Sequence, residues 1–387
     1  MSVQGELNIL IEQKSDVFSS TIKSSRPTNA AQLFTGKTIK QSISLLPLLF
    51  NLCARAQTIT AIKAIESQLN VQVPDEIIKQ REIIIALERL REYSLPIFMQ
   101  WPTYLKLELH NNILANLAQA LNKLINSFDG YSLSHFDPNS INLPVLSTNQ
   151  KKHWQHCKKL IEHAIFSITA EKWLNYTPDL LLDWAEKKQS LAAQFMWWLN
   201  KQPWKTTGKS TIKCLPENLT DHELLTLMLN NGVNFTANPQ WNHQSYEVSS
   251  FNYTENKQSV ALTKQYHNSL YSRMWLKLIN IAQTIANLNE LFNQKDNGNL
   301  SLPSSIKGLA HSFTARGRLT HYIELTENKI KRLLILAPTE WNFHPHGVAA
   351  NSLNHLLLGD KYNLMQQANL IIQAIDPCVG FNITIKK

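Results

Sequence analysis

Ala315-Arg316-Gly317, Leu336-Ala337-Pro338-Thr339-Glu340-Trp341-Asn342 and Asp376-Pro377-Cys378 fall in the last third of a 387-residue chain, and the rest is read from them. Between the first two blocks, Leu319, His321, Ile323 and Leu325 alternate with other residues. Glu327-Asn328 is turn-prone, and Leu333 to Leu336 is apolar. Alternation on either side of a turn signal reads as a β-hairpin. A hairpin returns its ends to one place. The Arg316 guanidinium is therefore expected beside Pro338-Thr339, with the Cys378 thiol able to fold against both.

Outward from this stretch, helices dominate. Leu270, Met274, Leu278, Ile281, Ile285, Leu288 and Phe292 recur at steps of three and four, the stripe of a helix packed into a bundle. Pro74-Asp75-Glu76 looks like a helix start, with carboxylates at the positive end of the dipole, and Leu95-Pro96 is expected to end that helix. Leu105 to Phe128, His153 to Ile168 and Pro178 to Leu199 carry further helical patterns. Phe128–Gln150, Lys201–Asn218, Asn234–Asn256 and Asn293–Ser305 read as connections. Before these, Leu45 to Cys53 leads into a helical pattern bearing Ile59, Ile62, Ile65 and Leu69. Met1 to Lys23 alternates as a short antiparallel sheet would.

Composition bounds the function. With 43% hydrophobic residues the chain can bury a large core, and eleven glycines are few for a Gly-rich nucleotide-binding design. Cys53, Cys157, Cys214 and Cys378 form no Cys-x-x-Cys pair, so neither a zinc site nor a disulfide framework is signalled. The net charge of +9 comes with basic patches at Lys151 to Lys159 and Lys201 to Lys213, but no nucleic-acid motif accompanies them and a solvated basic face is expected. No signal peptide and no apolar run of roughly 20 residues is present, which leads us to expect a cytoplasmic protein without membrane or nucleic-acid contacts.

In order and spacing, the quoted blocks resemble the large subunit of nickel-iron hydrogenases, with its Ala/Pro-Arg-Gly turn, hairpin, Pro-Thr-x-Trp-Asn segment and final Asp-Pro-Cys-x-x-Cys-x-x-His. Phe381 stands where that motif has its second cysteine, and Thr384 where it has its histidine. Near the other end the family places Arg-x-Cys-Gly-x-Cys-x-x-x-His. Cys53 matches the second cysteine, while Leu48, Phe50, Asn51 and Gln57 replace the arginine, first cysteine, glycine and histidine. Gln4-Gly5-Glu6-Leu7 is similar to the N-terminal Arg-x-Glu-Gly-His-Leu, with Gln4 in place of the proton-relaying glutamate. An amide cannot relay protons near neutral pH. Glu88-Arg89-Leu90-Arg91-Glu92-Tyr93, followed by Trp101-Pro102, resembles the HupK/HoxV-type proteins of hydrogenase maturation, degenerate relatives of the large subunit.

The resemblance implies an α+β, mainly helical fold. It would be one hydrogenase-large-subunit-like domain over residues 1–387, with a β element at 1–25, a central long-helix bundle with insertions at 38–295, and a hairpin and ligand segment at 311–387. In the family, four thiolates hold nickel and two of them bridge to an iron carrying two cyanides and one carbon monoxide. Two thiolates meet nickel's demand poorly, so no nickel is expected. The iron arrives with three positions filled, so Cys53 and Cys378 suffice to hold an Fe(CN)2CO fragment transiently. Arg316 and Thr339, with Ala315 and Pro338 beside them, occupy the family's cyanide-contacting positions.

The function this implies is a non-enzymatic scaffold or chaperone of hydrogenase maturation. It would bind the iron fragment and pass it to the apo large subunit, with chaperones of the HypC/HypD type as partners. Only Ile385-Lys386-Lys387 follow Thr384, so the C-terminal extension cleaved during large-subunit maturation is not expected. The alternatives are a divergent redox subunit, hydrogenase-like or complex I-like, and a structural partner that has lost the metal site. His344-Pro345-His346 is a possible metal clip on alternate residues. Glu247 is a possible match to a family glutamate.

Overall fold

The computed structural model describes residues 5–27, 30–128, 146–249, 256–293, 304 and 306–386. Gln4 and most of the connections between Phe128 and Gln150 and between Asn293 and Ser305 lie outside the described residues, as does part of the Asn234–Asn256 connection. The chain opens with β1 (Glu6–Lys14) and β2 (Val17–Ser24), an antiparallel pair. Leu7, Ile9 and Ile11 face inward from β1, and Phe18 and Ile22 from β2. A 3-10 turn, Ala30–Phe34, then leads into α1 (Ile39–Leu49) and α2 (Ala54–Leu69).

The helical body follows as α3 (Asp75–Leu105), α4 (Asn111–Asn126), α5 (Thr148–Ile161), α6 (Ala170–Leu174), α7 (Pro178–Glu186) and α8 (Leu191–Lys201). After it come α9 (Asp221–Ala237), broken at Gly232, then α10 (Lys257–Tyr266) and α11 (Leu270–Asn293). The long helices α3 and α11 pack on each other and carry the main core; α11 is the helix expected from its stripe. No helix among the described residues is long and apolar enough to cross a membrane.

Helix α3 does not stop at Pro96 as expected; it runs through Pro96 and Pro102. An interior proline costs about 3 kcal/mol in lost hydrogen bonding and ring clash. Ile97, Phe98 and Trp101 just beyond it are at most 1% exposed, and burying each is worth roughly 2 kcal/mol. Packing outweighs the local penalty. The expected helix at Leu105 to Phe128 begins only at Asn111, because Lys106 takes a left-handed conformation that closes α3. The pattern over Pro178 to Leu199 is two helices, separated at Lys188 with φ +52°.

The last third supplies β3 (Leu309–Thr314), β4 (Gly317–Thr326), β5 (Lys329–Leu336), α12 (Pro338–Asn342), α13 (Val348–Leu353), α14 (Lys361–Ile375) and β6 (Gly380–Lys386). β4 and β5 are the hairpin read from the sequence. Glu327 and Asn328 both have positive φ, the turn that matches strand twist. β3 adds a third antiparallel strand, and α2 packs across β3 and β4.

The N-terminal sheet departs from the expectation of purely antiparallel elements. β6 pairs parallel to β1, with Glu6 opposite Gly380 and Phe381 opposite Leu7. Both chain ends therefore share one sheet, in the order β2-β1-β6. This pairing anchors the residues just before Gly380, Cys378 among them.

Candidate metal-fragment site

Cys53 is placed by the start of α2. It is the N-cap residue but makes no side-chain capping bond, so the helix's first N–H groups need another acceptor. Glu88, projecting from α3, supplies it. Its two carboxylate oxygens accept the Arg55 and Ala56 N–H groups, each at 2.9 Å. A carboxylate at a helix N-terminus also opposes the dipole favourably. Burial nevertheless pushes the Glu88 carboxyl up to about 7, helped by Glu92. On the same face of α2, Gln57 donates to Cys53 Sγ at 3.8 Å, while its Oε1 lies 2.7 Å from His321 Nε2 on β4. A fully buried imidazole thus orients the amide that touches the sulfur.

Arg316 is placed by the β3–β4 turn. Gly317 has φ +124°, and a Cβ there would lie 1.6 Å from the Val248 carbonyl oxygen, so only glycine fits. Thr314 Oγ1 accepts the Arg316 N–H at 3.2 Å and donates to the Gly317 carbonyl at 3.0 Å. Asn342 at the end of α12 donates to the Arg316 carbonyl at 3.1 Å and accepts the Val248 N–H at 2.9 Å. The Ala-Arg-Gly and Trp-Asn blocks therefore clasp each other. The Arg316 guanidinium bonds Glu92 of α3, with Asp376 3.6 Å away on its other branch. Burial opposes its charge, but Asp376, Glu92, Cys378 and Cys53 outweigh that and hold it protonated.

Cys378 is placed by the end of α14. Asp376 caps that helix in a left-handed conformation at φ +64°, and the Cys378 N–H then donates to Thr339 Oγ1 at 3.3 Å. A hydroxyl that accepts one bond still has its own proton to give.

These side chains meet at one cavity of about 510 Å³, whose lining includes Cys53, Cys378, Arg316, Pro338, Thr339 and Arg26. Ala315, also expected at the site, is instead packed into the main core and borders a separate small cavity. Burial, reinforced by Cys378, Glu92 and Glu88, pushes the Cys53 thiol far above its usual range. The Arg316 Nε and the Asp376 Oδ2 are buried without a hydrogen-bond partner among the described residues. An orphaned guanidinium N–H on a residue that lines the same cavity as two thiols suits a ligand with both a soft metal and polar diatomic groups. No group of three or more His, Cys, Asp or Glu among the described residues is arranged to hold a metal ion, so the cavity offers sulfurs without a closed ligand set.

The remaining expectations fall elsewhere. Phe381 and Thr384 lie on β6. His344 is buried, with Nδ1 2.9 Å from Ser245 Oγ and Nε2 3.4 Å from Gln240 Nε2, and burial lowers it to about 4. Both ring nitrogens are thus engaged in packing the loop. Glu247 is buried in a two-pronged ion pair with Arg273 at 2.6 and 2.9 Å, and Cys157 sits in the α4–α5 core. Sequence reasoning missed Arg26 and its partner Glu340, and gave no role to Glu88 and Glu92. The Glu88–Tyr93 string held the signal, since the two carboxylates, one helical turn apart, serve the two halves of the site.

Comparison with known proteins places this architecture. The nickel-dependent hydrogenase family model matches residues 255–383. The [NiFeSe] hydrogenase of Desulfomicrobium baculatum superposes with a TM-score of 0.66 at 14% identity, over 95% of each chain. The fold is therefore that of a nickel-iron hydrogenase large subunit. Among curated proteins, the hydrogenase expression/formation protein HoxV of Cupriavidus necator is 26% identical, covering 94% of this chain and 92% of its own length. HupK of Azotobacter vinelandii, likewise described as an expression/formation protein, is 24% identical over 92% of this chain and 90% of its own length. The chain is a homologue of these HoxV/HupK proteins.

Proposed function

We propose that this chain is a non-enzymatic scaffold of nickel-iron hydrogenase maturation. It receives an iron fragment carrying two cyanides and one carbon monoxide, and passes it to the apo large subunit. The observation that carries the reading is the opening of Cys53 and Cys378, from opposite ends of the chain, into one cavity with Arg316 and Thr339. The names of the homologues support a role in hydrogenase maturation.

The two thiolates hold the iron, and Arg316 and Thr339 provide donors for the cyanides. Maturation chaperones of the HypC/HypD type deliver the fragment. Burial favours the protonated Cys53 thiol in the free protein, so loading there releases a proton and unloading takes it up. That coupling suits a carrier that must let go.

Anaerobic infrared spectroscopy of the chain co-produced with the maturation machinery tests the reading. Cyanide and carbonyl stretches are expected, and are lost in Cys53→Ala and in Cys378→Ala. A wild-type spectrum without them would sink the scaffold, as would hydrogen oxidation by purified protein with bound nickel.

A further inference from the structure

We propose that Arg26 is a second anion-holding group of this cavity, a guanidinium set on a different wall from Arg316 and aimed at the same cargo. The inference rests on the iron-fragment reading above and deepens it.

Arg26 leaves β2 on a firmly held backbone. The Ser25 N–H donates to the Glu6 carbonyl at 2.9 Å, and the Arg26 N–H donates to Ser24 Oγ at 3.2 Å. Gly5, at φ +71°, lets the strands close up here, since a Cβ would lie 2.7 Å from Arg26 Cα. Pro27 keeps the residue before it extended. The side chain reaches the cavity wall and bonds Glu340, which lies on α12 between Thr339 and Trp341. The element that presents Thr339 therefore also positions Arg26.

The charge arrangement makes this more than a structural tie. Arg316 is matched by two carboxylates, Glu92 and Asp376. Arg26 has one, and a single carboxylate oxygen uses only part of a guanidinium's five donors. An iron fragment whose two cyanides offset the metal's charge, once held by two thiolates, is dianionic. The less compensated guanidinium is then the stronger partner for a cyanide nitrogen. Burial disfavours the Arg26 charge, whereas negative charge on Cys378, as on the deprotonated sulfurs of a loaded site, and on Glu340 and Cys53 favours it, and both cysteines line the cavity that Arg26 borders.

The test compares the infrared spectra of wild type, Arg26→Lys and Arg26→Gln, each co-produced anaerobically with the maturation machinery. A charge-assisted hydrogen bond is worth about 1.5–3 kcal/mol, so loading per folded chain should fall about tenfold or more in Arg26→Gln. One cyanide stretch should shift in Arg26→Lys and Arg26→Gln, while the carbonyl stretch moves less. Should Arg26→Gln fail to fold because Glu340 is stranded, Arg26→Gln/Glu340→Gln removes both charges and must show the same shift and loss. Wild-type bands that persist unshifted at full intensity in the folded Arg26 variants overturn this proposal alone. Their absence from wild type overturns the iron-fragment reading beneath it.

Discussion

Glu92 on α3 and Arg316 in the β3–β4 turn, 224 residues apart in sequence, form a buried ion pair at the back of the cavity. The pair joins the helical body to the sheet bearing the Arg-Gly turn. Burying two charges is costly, and it is tolerated because each neutralises the other and the turn is hydrogen-bonded on both sides.

Removing one partner should therefore do more harm than removing both together with Asp376. Glu92→Ala is expected to cost about 3–5 kcal/mol, since the Arg316 charge is left with Asp376 alone. Glu92→Leu/Arg316→Met/Asp376→Asn, which strands neither the guanidinium nor a carboxylate of this cluster, should recover a substantial part of that loss. Urea unfolding of the three proteins checks it, and a triple variant less stable than Glu92→Ala would show that the charge cluster itself contributes most of the stability.

Gly317 is the steric pivot of the same turn. Gly317→Ala forces a Cβ to 1.6 Å from the Val248 carbonyl oxygen at φ +124°, so the turn must move and Arg316 with it. A loss above about 3 kcal/mol is expected, beyond backbone strain alone. Gly36→Ala is the control. It has φ +80° but nothing within 4 Å of its added Cβ, so it should cost only about 1–2 kcal/mol. Midpoints of chemical unfolding separate the two, and equal losses would mean the close approach to Val248 is unimportant.

Thr339 is expected to matter through Cys378. Thr339→Val removes the acceptor of the Cys378 N–H at a stability cost of about 1 kcal/mol, while Thr339→Ser keeps it. If the hydroxyl positions the sulfur, infrared-detected loading falls in the valine variant and is retained by serine. Equal loading in both would assign the hydroxyl no part in holding Cys378.

Much of this was legible in the sequence because the informative signals are local. Glu327-Asn328 announced the hairpin turn, and a three-and-four stripe announced α11. The pairing of β6 with β1 was not legible, because parallel strands from opposite chain ends leave no local mark. Pro96 misled for the converse reason: its local penalty is visible in sequence, whereas the burial of Phe98 and Trp101 is a property of the assembled bundle. At the site, cysteines and an Arg-Gly turn could be matched to a pattern. Arg26 could not, since its significance depends on Glu340, which reaches it only once the hairpin is closed.

The pH dependence of stability follows from His321. Its imidazole is fully buried on β4, and burial, with His311 nearby, holds it down at about 3. An unfolded histidine titrates near 6.5, so between these values the unfolded chain binds a proton that the folded chain refuses. Stability from this group is complete above pH 6.5 and declines as the pH falls toward 3. The loss reaches about 3 kcal/mol by pH 4 at most. His344, lowered to about 4, adds a loss of the same sign. His321→Gln should flatten the decline between pH 6.5 and 4 while costing stability at pH 7, because Gln57 loses the ring that orients it toward Cys53. Unfolding midpoints measured across this range for wild type and variant test the assignment, and parallel curves would show that His321 is not the titrating group.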